Sequence, residues 1–175
     1  MLTRFDTAPP DPDAIDVKKI VLFTFTHVAA LAAGFALGIY LLPILTAPES
    51  PSSAQLDTVA DMARFTGEFR RNLAGSDALH WGEGQVFVSD QAVSLKGRIS
   101  PGPDYRLYLA PEFVDTETEF LALKSHALEV GSVNTFENFI VPLPASVDVS
   151  RFNSVVVWCE SFSEFITAAE YRPVR

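Results

Sequence analysis

This sequence of 175 residues has very little cysteine and few basic residues relative to acidic ones. It holds one cysteine, Cys159, so no disulfide can form within the chain, and a zinc site with two cysteines and two histidines is excluded. Its 13 Lys and Arg stand against 22 Asp and Glu, which gives a net charge of −9. Binding to phosphate backbones needs clustered Lys and Arg, so we expect no nucleic-acid partner.

Charged residues are also missing from residues 20–45, a run that begins at Ile20 and ends at Leu45. About 20 apolar residues span the hydrocarbon core of a bilayer, so this run predicts a transmembrane helix in contact with membrane lipid. A cleaved signal peptide has a basic leading segment and a shorter apolar core. Here the leading segment carries four Asp, which favours a retained signal anchor.

Basic residues flank only one end of this run. Lys18 and Lys19 precede it, and the next basic residue is Arg64. Because Lys and Arg near a span mark its cytoplasmic side, we expect residues 1–19 to form a cytoplasmic tail. Everything after the run is then outside the cytoplasm, in the periplasm of a bacterium or its extracellular equivalent.

Gly34 and Gly38 form a pair of small residues four positions apart within the apolar run. Such a pair lies on one helix face and allows a second helix to approach closely. The same spacing also arises by chance in apolar segments, so a homodimer face is one of two open interpretations.

A linker and a short helix are predicted over residues 46–63. The linker is rich in Pro and Ser, and Ser53 is the predicted N-cap of a helix from Ala54 to about Arg64. Apolar residues at helical spacing support this helix.

Residues 64–171 change character and predict a β domain. Short runs of β-branched and aromatic residues alternate with turn residues, which is typical of a sandwich or a barrel. A helical turn is expected between Asp115 and Ser125. The predicted strands cover residues 65–69, 84–88, 92–98, 105–109, 127–133, 138–141, 155–159 and 165–171.

The strand that ends at Cys159 has two apolar faces. Val155, Val157 and Cys159 share one face, and Val156 and Trp158 share the other. We therefore expect this strand to be central and buried on both sides.

Several short motifs occur in an order and spacing that resemble the DM-thirteen domain family, which is described as an electron-transfer domain. They are Thr66-Gly67-Glu68-Phe69, His80-Trp81-Gly82-Glu83-Gly84-Gln85-Val86, Gly102-Pro103-Asp104-Tyr105 with Leu107-Tyr108-Leu109, Asn138-Phe139-Ile140-Val141-Pro142, Asp148-Val149-Ser150-Arg151-Phe152, Val155-Val156-Val157-Trp158-Cys159 and Phe162. The resemblance covers most of residues 64–169 and does not include the apolar run.

The resemblance implies a β-sandwich-like module with a redox role. Cys159 would act as a free thiol or as the ligand of a prosthetic group such as haem. Independently of the resemblance, the position of His80 beside Gly82 and Gly84 indicates a metal or haem ligand or a group that lowers the pKa of a neighbouring thiol, and Tyr105 could stack on a flat ligand or hydrogen-bond it.

Each of these residues also has a structural interpretation. A free cysteine packs well as a small buried hydrophobe, His80 could close a turn, and Tyr105 could be a core residue. The acidic residues Glu112, Asp115, Glu117 and Glu119 have no recognisable calcium-loop pattern and are interpreted as a solvated face, so no metal site is expected.

The sequence leaves two hypotheses for function open. The first is a redox module centred on Cys159 that works with a redox or envelope protein partner. The second is a non-catalytic ligand- or protein-binding module of the cell envelope. The residues alone do not decide whether the chain is an enzyme.

Overall fold

The computed structural model describes residues 16–173 and begins with one long helix, α1 (Val17–Thr46). At 30 residues and about 1.5 Å per residue, α1 is long enough to cross a bilayer, and its most apolar window has a mean hydropathy of 2.2. None of its residues is buried. Thr26 and His27 bond to the carbonyl of Phe23 within the helix, which satisfies their polar groups locally. The helix extends a few residues beyond both ends of the predicted run.

The short helix α2 (Ser53–Asp61) begins one residue earlier than predicted and ends before Arg64. Its N-cap is Ser52, and the prediction of Ser53 was wrong. The Ser52 hydroxyl accepts from the backbone N–H of Gln55, and the Gln55 side chain accepts from the Ser52 N–H, which is a complete capping box. Leu56 is the buried residue of α2, and Asp57 pairs with Lys96 at 3.2 Å.

Eight antiparallel strands form two sheets, so the domain is a β-sandwich and the barrel alternative is excluded. One sheet has the order β1-β2-β3-β6 and the other has β5-β4-β7-β8. Every predicted strand is present, with ends that differ by one or two residues. The strands are β1 (Phe65–Phe69), β2 (Gly82–Val88), β3 (Ala92–Ile99), β4 (Tyr105–Ala110), β5 (Leu128–Val133), β6 (Glu137–Pro142), β7 (Ser154–Cys159) and β8 (Glu164–Glu170).

Strand β7 is central, as its two apolar faces predict. It lies between β4 and β8, and all six of its residues are buried. Val155, Val157 and Cys159 belong to the core between the sheets, which we call the inner core. Val156 and Trp158 belong to a second apolar cluster, which we call the outer core.

The outer core includes residues of a short helix, α3 (Glu117–Leu123), which is followed by a 3-10 turn (Lys124–His126). This confirms the helical turn expected between Asp115 and Ser125. Thr116 caps α3 by accepting from the N–H of Glu119. Phe120 is fully buried, and its ring centroid is 5.0 Å from that of Trp158.

Two glycines mark places where the sheets meet closely. A Cβ on Gly67 of β1 would lie 2.7 Å from the carbonyl oxygen of Glu170 on β8. A Cβ on Gly82 of β2 would lie 2.5 Å from a methyl group of Thr167, also on β8. Both glycines therefore allow the last strand to pack against the first two.

Candidate functional site

Cys159 lies at the end of β7 on the inner-core face, and its exposed fraction is 3%. Its partner across the sheet is Tyr105, the first residue of β4. The β4–β7 pairing thus brings together two of the three residues that the sequence singles out. The thiol is free, in keeping with its being the chain's single cysteine.

The turn formed by residues 160–163 follows Cys159 and is bonded to Asp104. The Glu160 N–H donates to the Asp104 carbonyl at 3.0 Å, and the Ser161 hydroxyl donates to Asp104 Oδ2 at 2.9 Å. Asp104 is itself held by Arg106, whose Nε donates to Oδ1 at 3.3 Å. Asp104 therefore joins the beginning of β4 to the turn beside the thiol.

Burial raises the pKa of the Cys159 thiol above its ordinary value. The backbone N–H groups of Phe162, Asp104 and Ser161 oppose this rise, because they would hydrogen-bond a thiolate, and the Asp104 carboxylate adds to it. The balance favours the protonated thiol at neutral pH. Since the thiolate is the nucleophile, a buried, protonated thiol has low intrinsic reactivity.

Tyr105 is a core residue here. Its side chain is 3% exposed, and its ring packs closely over Gly102, where a Cβ would collide with the phenol oxygen. Phe136 meets the ring edge-on, with centroids 6.1 Å apart. Burial raises the pKa of the phenol, which keeps it neutral. Tyr105 helps to enclose the Cys159 end of the core and offers no exposed face for stacking.

His80 closes a turn through Asp77. Asp77 Oδ1 accepts from the N–H groups of Leu79 and His80 at 2.6 and 2.7 Å, and Oδ2 lies 3.1 Å from His80 Nδ1. Burial acts to raise the pKa of Asp77, but these bonds outweigh it and lower that pKa. No hydrogen bond joins His80 to Cys159 within residues 16–173, so the structure places these two candidates in different local settings.

A stacked arginine lies near His80 in sequence. The Arg71 guanidinium is 3.4 Å from the centroid of the Trp81 ring and makes two bonds to Glu83 at 2.7 and 3.3 Å. Arg98 adds a third bond to Glu83 at 3.0 Å. These bonds lower the pKa of Glu83, the Arg71 bond most of all. The cluster fixes the beginning of β2.

Charged residues form the edge of the outer core, on the opposite face of β7 from Cys159, and one of them, Glu160, directly follows Cys159 in sequence. The Tyr108 hydroxyl donates to Glu160 and, at 3.3 Å, to Glu129. Lys124 Nζ is 2.7 Å from the second oxygen of Glu160 and 5.2 Å from the Trp158 ring centroid. Burial acts to raise the pKa of Glu160, but the Lys124 and Tyr108 bonds outweigh it and lower that pKa.

Haem does not fit beside Cys159 as these residues stand. The sulfur lies in a closed core, the space above Gly102 is filled by the Tyr105 ring, and His80 is occupied by Asp77. A surface cleft of about 420 Å³ is lined by Pro111, Glu112, Leu123, His126, Arg151 and Phe152, and does not reach the thiol. Within residues 16–173, no three His, Cys, Asp or Glu side chains are grouped as metal ligands.

The geometry thus defines a β-sandwich domain with one free thiol enclosed at an end of its core. The model of the family described as Electron transfer DM13 matches residues 69–171, which is more than half of the chain. The chain belongs to this family, and the resemblance identified from the motifs is confirmed. No curated protein and no solved structure matches the chain.

Proposed function

We propose that this chain is a membrane-anchored redox module, placed outside the cytoplasm, whose electron-carrying group is the Cys159 thiol. The family description supports a role related to electron transfer. The observation that carries the assignment to Cys159 is its position at the end of β7, separated from solvent by the 160–163 turn. It is also the only residue of the chain whose side chain commonly undergoes reversible two-electron exchange by forming a disulfide.

The reaction we propose is thiol–disulfide exchange with a partner that carries a disulfide. The Cys159 thiolate, after losing its proton to solvent, attacks one partner sulfur, and a new S–S bond forms as the partner's S–S bond breaks. The other partner sulfur leaves as a thiolate and takes up a proton. Because this chain has no second cysteine, a thiol from outside the chain must resolve the mixed disulfide.

The test of this reaction uses the full chain in detergent or in membranes. We expect the native protein to form a mixed disulfide with oxidised glutathione, gaining one glutathione per chain by mass and losing it on reduction. Cys159→Ala is the matched control and removes the only thiol. A folded protein that never forms the adduct would contradict the proposal and favour the non-catalytic binding module.

An absorbance scan of the same preparation tests the haem alternative. We expect no visible band, because the core beside Cys159 is closed. A haem spectrum that Cys159→Ala abolishes would contradict thiol-only chemistry. A spectrum that survives in Cys159→Ala but is lost in His80→Ala would place the group at His80 and remove Cys159 from its ligands.

The proposed location rests on α1 and its flanking charges. Lys18 and Lys19 support an N-terminal tail over residues 1–19 on the cytoplasmic side, with residues 20–45 in lipid, residues 46–63 as the spacer and residues 64–171 outside. A reporter that is active only outside the cytoplasm, fused after Arg175, should be active. Activity of a cytoplasm-only reporter at the same position would contradict this orientation.

A homodimer through α1 is a separate proposal. An added Cβ at Gly34 or Gly38 meets nothing within 4 Å among residues 16–173, which leaves that helix face available to a second copy. Replacing both glycines by Leu should reduce cross-linking of the full chain in membranes. The matched control is a Leu at Ala33, which is adjacent in sequence to Gly34 and points in a different direction. Equal cross-linking of both variants and the native chain would exclude this dimer face.

A further inference from the structure

We infer that Asp104 is a positioning residue that holds the 160–163 turn closed over Cys159 and so sets how often the thiol can be reached. This inference rests on the proposed function, because it concerns the same thiol. It adds a residue that neither the family description nor the sequence patterns assign to the site.

The first support is the set of atoms that surround the sulfur. Cys159 is 3% exposed although it is the last residue of its strand, where a side chain often meets solvent. The groups near its sulfur include backbone N–H groups of Ser161 and Phe162 from the turn and of Asp104 itself. Movement of the turn would therefore expose the sulfur to a reagent.

The second support is how the turn is held. Among the described residues, the turn bonds to Asp104 twice: the Glu160 N–H donates to its backbone carbonyl and the Ser161 hydroxyl donates to its carboxylate. On the other face of β7, the Glu160 carboxylate is bonded to Lys124 and Tyr108. Residues 161–163 are exposed, and Phe162 keeps half of its surface in solvent. Ser163 has a φ of 54°, a conformation that costs energy for a residue other than glycine. Residues 161–163 thus have little burial to keep them in place, and they are held by the β7–β8 pairing at either end of the turn and by the Asp104 carboxylate.

The third support is the fixation of Asp104. Arg106 Nε donates to Oδ1, which leaves Oδ2 for Ser161, and Arg106 is in turn bonded to Ser132 at 2.7 Å. Arg106 belongs to β4 and Ser132 to β5, so these bonds fix the Asp104 carboxylate relative to the sheet. Asp104 therefore anchors the exposed 160–163 turn to the sheet.

The experiment measures the alkylation rate of Cys159 by iodoacetamide in the folded full chain. Asp104→Ala should raise the rate roughly ten- to a hundredfold, the effect expected for losing a hydrogen bond to a charged group. Ser161→Ala should raise it by up to the same factor, because both variants remove the bond from the Ser161 hydroxyl to the Asp104 carboxylate and both keep the bond from the Glu160 N–H to the Asp104 backbone carbonyl. Asp104→Asn should give a rate between those of Asp104→Ala and the native chain, because its amide oxygen can still accept from Ser161 while its NH2 group cannot accept from Arg106.

A double-mutant cycle and a matched control distinguish positioning from general destabilisation. If Asp104 and Ser161 act through one bond, the double alanine variant should react no faster than Asp104→Ala alone. Ser150→Ala removes a similar bond, from Ser150 to Asp148 at 2.6 Å, in a turn elsewhere, and should leave the rate unchanged. Thermal melts of every variant identify any that unfold, and if Asp104→Ala does, Ser161→Ala carries the test.

A folded Asp104→Ala that reacts at the native rate would overturn the inference, as would additive effects in the cycle. Alkylation needs no redox partner, so its outcome is independent of glutathione exchange. If glutathione exchange fails but Asp104→Ala still raises the alkylation rate, the proposed function is removed and the role of Asp104 is kept. Normal glutathione exchange, together with an alkylation rate that Asp104→Ala leaves unchanged, would keep the proposed function and remove the role of Asp104.

Discussion

The two faces of β7 have similar burial but different surroundings. The inner face ends at Cys159, enclosed by Tyr105 and the 160–163 turn, in a core between two sheets. The outer face ends at Trp158, whose core is bordered by the ion pair of Lys124 and Glu160. Alternation along one strand therefore places the neutral thiol on the face opposite the ion pair of Lys124 and Glu160. Four consecutive residues, Val157 to Glu160, allow this comparison to be tested.

Val157→Asp should have the largest effect, because it places an unpaired charge in the inner core. Val157 has no exposed surface, and an uncompensated buried carboxylate costs several kcal/mol, comparable to the whole stability of a domain. We expect the domain to be unfolded at 25 °C by circular dichroism. Gln85→Asp adds the same charge at an exposed position of β2 and should stay within about 0.5 kcal/mol of native. A normal melt for Val157→Asp would contradict the central position of β7.

Trp158→Ala tests the outer core and should cost about 3–5 kcal/mol, the range for removing a fully buried large aromatic side chain. Denaturant unfolding measures the loss. Trp158→Phe should cost less, because the indole Nε1 has no hydrogen-bond partner among the described residues and none is lost. Equal costs for the two variants would show that the ring is not packed as described.

Cys159→Ser should destabilise by roughly 1–3 kcal/mol, because a hydroxyl is costlier to bury than a sulfur. Cys159→Ala should cost less, since it buries no polar group. Thermal melts compare the two. If Ser were tolerated as well as Ala, the Cys159 end of the inner core would be wetter than its 3% exposure indicates.

Glu160→Gln should have the smallest effect, at most about 1 kcal/mol at pH 7, because the pair with Lys124 is partly exposed. The folded-state pKa of Glu160 is lowered, so its stabilisation is complete above the ordinary glutamate pKa of about 4.3. That stabilisation is lost as the pH falls through the folded value. The variant should therefore lose less stability than the native chain between about pH 5 and pH 3. Glu68→Gln, at an exposed position of β1, should keep the native pH profile.

Local patterns are enough to predict the strands and the central position of β7. Alternation and turn residues depend on neighbours in sequence, and a strand that is apolar on both faces, as from Val155 to Cys159, is stable only when both faces are covered. The predicted N-cap was wrong by one residue because Ser52 and Ser53 are both good caps. The Gln55 side chain selects Ser52, three residues before it, and this spacing could have indicated the capping box.

The surroundings of the site could not be predicted, because they depend on long-range pairing. Asp104 and Ser161 are 57 positions apart, and Tyr108 and Glu160 are 52 apart. Neither pair has a local signature, and each forms only after β4 and β7 align. His80 shows the opposite case, since its partner Asp77 is three residues away and a closed turn is a local feature of the sequence.

The close contact between Gly67 of β1 and Glu170 of β8 joins the first and last strands of the domain. These residues are about a hundred positions apart, so the contact forms only when nearly the whole domain has been synthesised and brought together. Chains dominated by such non-local contacts fold slowly, in milliseconds to seconds, because loop entropy is lost before the contacts form. A nascent chain that ends before β8 would leave β7 as an apolar sheet edge, and such edges pair with other chains. The domain is therefore expected to need protection from aggregation until its final strand is in place.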